Sequence, residues 1–458
     1  MSAVAPRAPG HVPLLGHAIQ LRLRPLQFLA ELAEHGTVVE LRLGTAPAYL
    51  VGDPKVAHQV LLDARTFEKG GPLYRELASL LGDSLATSTR ERHRRQRRMV
   101  QPSFQHSRMP AYASVMTEEI DQMLATFAPG RVVDFARTCR TLTLRVVARA
   151  LFSSGLSDAA MGAVERHLPE FSLGVYRRMT HPVSVMKRLS TPSSRRFVRA
   201  TVCLRAAISQ VIAECSSGGM PSDCVMADML AYRDESGRPL SERELVDHSV
   251  VLFLAGAETS ATTIAWAFHA LAANPEVERA LHTEVDSVLS DGRPVELADL
   301  PRLDYTCRYV TEVLRRYPAI WVLTRTAMAE TMLGEVTVPA GSGVIVSPYA
   351  LHRNPRMFPD PTRIDPGRWL PERAQNIPRG AWLPFGAGSR KCVGEEFGMI
   401  ETVLTVAAVA ARWRLRPPAR GVRVKELPMT SLATGPMPMR LEPRGATGPR
   451  KPRGAPPQ

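Results

Sequence analysis

No C-x-x-C pair and no zinc-ligand spacing occur among the six cysteines, Cys139, Cys203, Cys215, Cys224, Cys307 and Cys392. That pattern excludes a zinc finger and gives no sign of a disulfide framework. Scattered thiols in a chain of 458 residues suit a reducing compartment. The first residues, MSAVAPRAPGHVPLLGHAIQ, hold no long apolar run. Neither a signal peptide nor a membrane anchor is expected there, and a cytoplasmic location is. There is also no internal repeat, no flavin or nicotinamide fingerprint, and no low-complexity spacer before residue 444. Domains usually run to ~100–200 residues, but the missing spacer predicts one large domain over 1–444.

What is present is a globular composition, 45% hydrophobic and 22% charged, with a formal charge of +14 from 58 basic and 44 acidic side chains. Such a balance admits nucleic acid or an acidic protein as partner, and equally a genome that uses arginine freely. Residues 445–458, GATGPRKPRGAPPQ, are basic and rich in Gly and Pro, and are expected to form a disordered tail. PLQFLAELAEHG reads as an amphipathic helix ended by Gly36, and TVVELRLG and APAYLVGD as two strands. SERELVDHSVVLFLAGAETSATTIAWAFHALAANP reads as one long helix, with a capping-box signature in Ser241 and Glu244 and a stop at Asn274-Pro275. It is apolar nearly all round at its centre, so it is predicted to run through the core for about 50 Å. CVGEEFGMIETVLTVAAVAARW reads as a second buried helix.

The second buried helix starts beside one cysteine in a distinctive setting. In LPFGAGSRKCVGEEFGM, Cys392 follows Arg390 and Lys391 and precedes the helix. Cations and free N–H groups favour a thiolate there. Gly386 and Gly388 allow a tight turn and close approach to something flat or bulky. With no second Cys or His nearby, a metal held here takes one protein ligand, which suits a haem, whose ring supplies four. A dinucleotide loop fails because Lys391 stands at the last Gly position of GxGxxG. The pattern Phe385-Gly386-x-Gly388-x-Arg390-x-Cys392-x-Gly394 resembles the haem-binding loop of the cytochrome P450 family. The resemblance implies Cys392 as the axial ligand of the iron of haem b, Phe385 and Gly386 beside it, and Arg390 on a haem propionate.

Other segments agree in order. In AGAET, Ala255 and Gly256 share a helix face with Thr259 by their spacing, and leave room on it. Glu258 is an acid in an apolar helix that needs a role or a partner. From the residues alone, Thr259 can equally bond back to the carbonyl four residues earlier. The resemblance places Ala255 and Gly256 over the open haem face, Thr259 against dioxygen or its water, and Glu258 in proton delivery. Glu312 and Arg315 have the i,i+3 spacing of an ordinary ion pair. The resemblance makes them a buried structural triad with Arg368 of Pro366-Gly367-Arg368-Trp369. In ERHRRQRRMVQPSF, His93 and Arg97 share one face, with Arg95 and Arg98 roughly opposite. The resemblance gives His93, Arg97 and Arg325 to the propionates, which guanidinium groups bind well. Arg94, Arg95 and Arg98 are then left to meet an acidic electron donor. Departures from the family's pattern are Gly367, where an acid is frequent, and Ile364, where Phe is frequent.

The resemblance runs from about Pro6 to Pro443. It implies a mainly α fold with small β-sheets, one large domain around a buried haem. The implied activity is a monooxygenase that hydroxylates or epoxidises its substrate. Electrons come from NAD(P)H through separate proteins, most simply ferredoxin and ferredoxin reductase. The implied pocket walls are Ile320, Trp321, Val322, Leu323, Leu432 and Ala433, with the segments Phe67–Leu85 and Phe171–Met186. These are mostly apolar, so an apolar substrate is expected: a terpenoid of secondary metabolism first, a polyketide or macrolide second. A peroxygenase or isomerase on the same haem is the rival within the family, and the intact Glu258-Thr259 pair weighs against it. A basic nucleic-acid binder lacks the aromatic interleaving it needs. A monomer is expected, with no nucleic acid and no membrane.

Overall fold

The computed structural model describes residues 4–70, 74, 77–78, 80–153, 156–180, 191–217, 224–290, 292–418 and 424–445. The expected tail from 446 on and the 181–186 part of the pocket segment lie outside them. Among the described residues the helices are α1 (Ala18–Leu23), α2 (Pro25–Glu34), α3 (Pro54–Leu62), α4 (Arg90–Val100), α5 (Met109–Ala125), α6 (Phe135–Phe152), α7 (Asp158–Thr180), α8 (Pro192–Ser217), α9 (Val225–Ala231), α10 (Glu242–Ala273), α11 (Pro275–Val288), α12 (Asp304–Arg316), α13 (Pro348–Leu351), α14 (Pro371–Ala374) and α15 (Glu395–Arg412). The strands are β1 (Val38–Leu43), β2 (Ala46–Val51), β3 (Phe67–Glu68), β4 (Val132–Asp134), β5 (Leu323–Ala327), β6 (Thr331–Leu333), β7 (Val336–Val338), β8 (Gly343–Val346), β9 (Trp413–Arg416), β10 (Leu427–Pro428), β11 (Leu432–Ala433) and β12 (Pro438–Pro443).

The largest sheet has the order β1-β2-β8-β5-β3, with β2 and β8 parallel and the other pairs antiparallel. The register Arg325↔Val344 fixes which β5 side chains reach the sheet's covered face. A smaller sheet, β4-β12-β9, places β12 between β9 and the much earlier β4.

α10 is the axis of the helical part. Its 32 residues span about 48 Å, and α6, α8, α12 and α15 pack around it. The capping box forms: Ser241 Oγ accepts from Glu244 N at 3.3 Å, and Glu244 Oε2 accepts from Ser241 N at 2.9 Å. By length and composition α10 could cross a membrane, but most of its apolar stretch is buried among the other helices. An apolar surface all round is what a fully enclosed helix needs. α15 leaves the cysteine loop and touches α10 near its middle, where a Cβ on Gly398 would lie 3.8 Å from Ser260 Oγ.

Candidate active site

The cysteine loop is closed by main-chain bonds. Gly386 N donates to Leu383 O at 3.1 Å, Lys391 N to Gly388 O at 3.0 Å, and Cys392 N to Phe385 O at 2.9 Å. Gly388 has φ +68°, and a Cβ there would sit 2.4 Å from the Leu61 carbonyl of α3. Conformation and space both demand glycine at this position. Phe385 is half-buried, edge-on to Trp382.

Cys392 keeps accessible surface although protein atoms crowd its thiol. A side chain in both conditions lies in a recess rather than on a convex surface. Burial raises its pKa, against the pull of the Gly394 N–H and, more weakly, of Arg97 and Lys391; Glu395 adds to burial. The sequence led us to expect that cations and the helix start would favour the thiolate by themselves. Burial outweighs them, partly because Lys391 is ion-paired to Glu395. Ionisation of this thiol therefore falls to a bound metal cation, which deprotonates a coordinating thiol.

α10 supplies the other wall. Ala255 is exposed in the middle of this otherwise enclosed helix. The Gly398–Ser260 contact sets α15 against α10 just past Thr259, and the opening at Ala255 lies within about two turns of it. Gly256 does not share that opening. A Cβ on it would meet Val147 of α6 at 2.8 Å, so its small size serves helix packing. Thr259 Oγ1 donates back to Ala255 O at 2.6 Å, the alternative that spacing left open. Glu258 keeps some accessible surface yet is crowded by protein, and burial raises its pKa. Its carboxyl hydrogen-bonds Ser172 and accepts from Thr430 Oγ1 at 3.0 Å.

Beside the loop lies a knot of cations. His93 is buried and driven down to about 3 by burial and then by Arg390, Lys69, Arg97 and Arg325. Lys69 is pushed down to about 7 by burial, Arg390 and Arg325, with Glu68 opposing. Arg390 pairs with Glu68 at 2.6 Å and donates to Ser88 O at 2.7 Å. Arg325 is buried and donates to Thr324 O at 2.9 Å. Arg97 clasps the cysteine loop itself, donating to Ser389 O at 3.2 Å and Lys391 O at 2.6 Å. Mutually repelling cations enclosed with Glu68 as the carboxylate among them are electrostatically incomplete. A dianionic group laid against them would complete the set. Among the described residues no group of three or more His, Cys, Asp or Glu could hold a metal ion, so a metal here must bring its other ligands. A haem meets both conditions, the four ring ligands and the two propionates. Lys69 and Glu68 were missed in the sequence, since FEKG carries no spacing signal.

A family model for cytochrome P450 matches residues 6–443. The chain belongs to the cytochrome P450 family. It is 45% identical to a cyclooctat-9-en-7-ol 5-monooxygenase of Streptomyces melanosporofaciens, over 95% of each chain. It is 37% identical to a pentalenene oxygenase of Streptomyces avermitilis, over 90% of this chain and 91% of that one. The haem domain of cytochrome P450DA superposes with a TM-score of 0.86 over 97% of this chain and 99% of that one; at 22% identity this speaks for the fold alone. This P450 is accordingly a haem-dependent monooxygenase.

In this P450 a buried framework supports the cysteine loop from behind. Glu312 Oε1 accepts from Arg315 Nη2 at 2.8 Å, Arg368 Nε at 3.3 Å and Asp365 N at 3.0 Å. Its Oε2 accepts from Arg315 Nε and Trp369 Nε1, each at 2.9 Å. Arg315 also donates to His352 O at 2.9 Å, and His352 Nε2 accepts from Leu383 N, the first residue of the loop, at 2.8 Å. His352 is pushed down to about 3, chiefly by burial and Arg315, so it stays neutral, as an acceptor at Nε2 must. Through it the triad is wired to the loop. His352 was missed because it lies far from both motifs in sequence.

The implied pocket residues divide. Ile320, Val322, Leu323 and Ala433 retain surface. Trp321 and Leu432 are buried and structural: Trp321 Nε1 donates to Met429 O at 2.9 Å, and Leu432 O accepts from Trp266 Nε1 at 2.7 Å. On α4, Arg95 does not face outward as expected. It is half-buried and paired with Glu244 at 3.2 Å and Asp234 at 3.5 Å, because the turn before α10 covers that side. Arg94 and Arg98 are exposed, Arg98 beside Glu235 at 3.3 Å.

Proposed function

We propose that this P450 hydroxylates or epoxidises a terpenoid in secondary metabolism, with electrons from NAD(P)H passed through a ferredoxin reductase and an acidic ferredoxin. The observation that carries the haem site is Cys392, a single accessible thiol beside the cluster of Lys69, Arg97, Arg325 and Arg390, which has Glu68 as its carboxylate. The names of the relatives carry the substrate class. One acts on cyclooctat-9-en-7-ol and another on pentalenene, and the identity to each spans nine-tenths or more of both chains.

Bound haem supplies reductive activation of dioxygen, and its thiolate ligand favours O–O cleavage. The chain's own part is assigned as follows. Cys392 would ligate the iron. His93, Arg97, Arg325, Arg390 and Lys69 face the propionates, with Glu68 balancing Arg390. Thr259 Oγ1 trades its bond to Ala255 O for one across the cavity, and Glu258 moves a proton toward that hydroxyl. Ile320, Val322, Leu323 and Ala433 bound the substrate and keep water out. Arg94 and Arg98 offer the donor a basic face. The protein acts as a cytoplasmic monomer.

The test is the optical spectrum of purified protein, reduced under carbon monoxide, followed by titration of the oxidised protein with cyclooctat-9-en-7-ol, pentalenene and a macrolide. A strongly red-shifted Soret band and a spin-state shift with a terpenoid are expected. A carbon monoxide band without the red shift removes the thiolate assignment. A shift with the macrolide alone removes the terpenoid one.

A further inference from the structure

Ser172 and Thr430 belong to no motif, yet they are the residues that hold Glu258. Ser172, buried on α7, hydrogen-bonds Oε1, and Thr430, in the turn between β10 and β11, donates to Oε2 at 3.0 Å. The turn is preset from its far side. Trp321 Nε1 bonds Met429 O, Trp266 Nε1 bonds Leu432 O, and Leu432 N donates to Ala319 O at 2.9 Å. Thr430 is therefore delivered by a rigid support. α7 is fixed in turn by Phe171, stacked on Phe197 of α8 at 5.6 Å. Arg140 influences the Glu258 carboxyl only through its charge at a distance, and makes no hydrogen bond to it among the described residues. Burial opposes its charge and the two hydroxyls favour it.

The same seam opens outward. A groove of about 490 Å³ is bounded by Tyr176, one helical turn beyond Ser172, by Met429, next to Thr430, and by Arg22 to Gln27. Its size suits a small molecule; its surface is mostly apolar, with Arg22, Arg24 and Glu426 among the lining residues. On the other side Glu426 is pinned by Arg316, Arg353 and Tyr349, so that margin is rigid.

We propose that Ser172 and Thr430 are positioning residues that set the direction and the protonation of Glu258, so that the wall flanking the apolar groove also governs the acid. The role of the groove rests on the terpenoid reading; the hold on Glu258 does not.

The test is infrared titration of the carboxyl band in the protein as purified, with the Glu258 band identified by its loss in Glu258→Gln. Removing hydrogen bonds to the ionised form raises its pKa. Thr430→Val, and Thr430→Val with Ser172→Ala, should move the midpoint upward, the double variant by about one pH unit or more. Ser172→Thr and Thr430→Ser should leave it in place. An unmoved midpoint in the double variant overturns the proposal. If Ser172→Ala does not fold, the near-isosteric Thr430→Val decides alone, by the same two outcomes. The carbon monoxide spectrum separates this result from the haem assignment: a red-shifted band with an unmoved midpoint sinks only the positioning role.

Discussion

Glu312 and Glu258 are both helix carboxyls crowded by protein, and the regions around them are built on opposite plans. Around Glu312 each oxygen accepts from fixed donors, two of them guanidinium groups, and the pair with Arg315 is wholly inaccessible. Around Glu258 there are two neutral hydroxyls. Held by permanent cations, Glu312 is locked in place and the network becomes framework. Balanced between burial and hydroxyls, Glu258 can gain or lose a proton at modest cost. The comparison teaches where chemistry can happen in this fold: on the side of α10 where charge is left unsettled. The framework side holds the Cys392 loop still.

The largest effect comes from removing the ligand and leaving the framework. Cys392→Ala should abolish the red-shifted carbon monoxide band and lower turnover to background. Its thermal unfolding should remain cooperative, because the Glu312 network and His352 still brace the loop. A variant that keeps an unchanged spectrum would place the metal ligand elsewhere.

Breaking the framework should do the reverse. Arg315→Ala leaves Glu312 buried with Arg368 as its guanidinium partner, and strips donors from His352 O and Pro361 O. A cost of about 3–5 kcal/mol is expected for opening such a pair, read as a fall in denaturant midpoint and as haem lost together with the fold. If Arg315→Ala unfolds like the parent chain, the network is ornament to stability and the comparison fails.

Glu401 sharpens the contrast from the unsettled side. It lies on α15, fully buried, with both oxygens lacking a hydrogen-bond partner among the described residues. Ser260 is close enough to favour its ionised form a little, though outside hydrogen-bond geometry. Burial pushes its pKa up to about 8. A folded-state value above the unfolded one means the native state holds the proton longer. Wild-type stability therefore falls as pH rises from the ordinary carboxyl range through 8. Glu401→Gln removes that dependence. It should match the wild type at pH 5 and exceed it at pH 9 by up to about 5 kcal/mol, at ~1.4 kcal/mol per unit. Parallel stability curves across that range would show Glu401 to be ionised and partnered after all.

The legible parts of this protein were those whose physics is local. The capping box of α10, its apolar circumference and the glycine turn before Cys392 depend on neighbours within a few residues, and each stands where the sequence put it. Helical spacing brings Glu312 and Arg315 together, but it does not say whether they are buried. That depends on Arg368, Trp369 and the Asp365 N–H, some fifty residues on. Gly256 and Ala255 differ by one position and so by ~100° around the helix; only the place of Val147 shows which one faces the opening. Arg95 looked outward until the turn at Asp234 was laid over it. Thr259 kept two readings because its bond to Ala255 O and a bond across the cavity start from the same rotamer-poor hydroxyl.

The smallest effect tests the cations that await a partner. Lys69 retains some surface yet is crowded by protein, as Cys392 is, and its ammonium is disfavoured by burial, Arg390 and Arg325. A lysine with a depressed folded pKa weakens the fold most at low pH; the penalty begins to fade as pH rises past about 7 and is gone only above the ordinary lysine value. Lys69→Met should thus raise the stability of haem-depleted protein more at pH 6 than at pH 9. With haem bound, the same ammonium gains a propionate nearby, and its loss should speed haem transfer to an acceptor protein about tenfold, the equivalent of ~1.4 kcal/mol. Opposite signs in the two states are the point. A lysine that merely packs against Tyr74 and the Ala86 carbonyl would move both stabilities the same way.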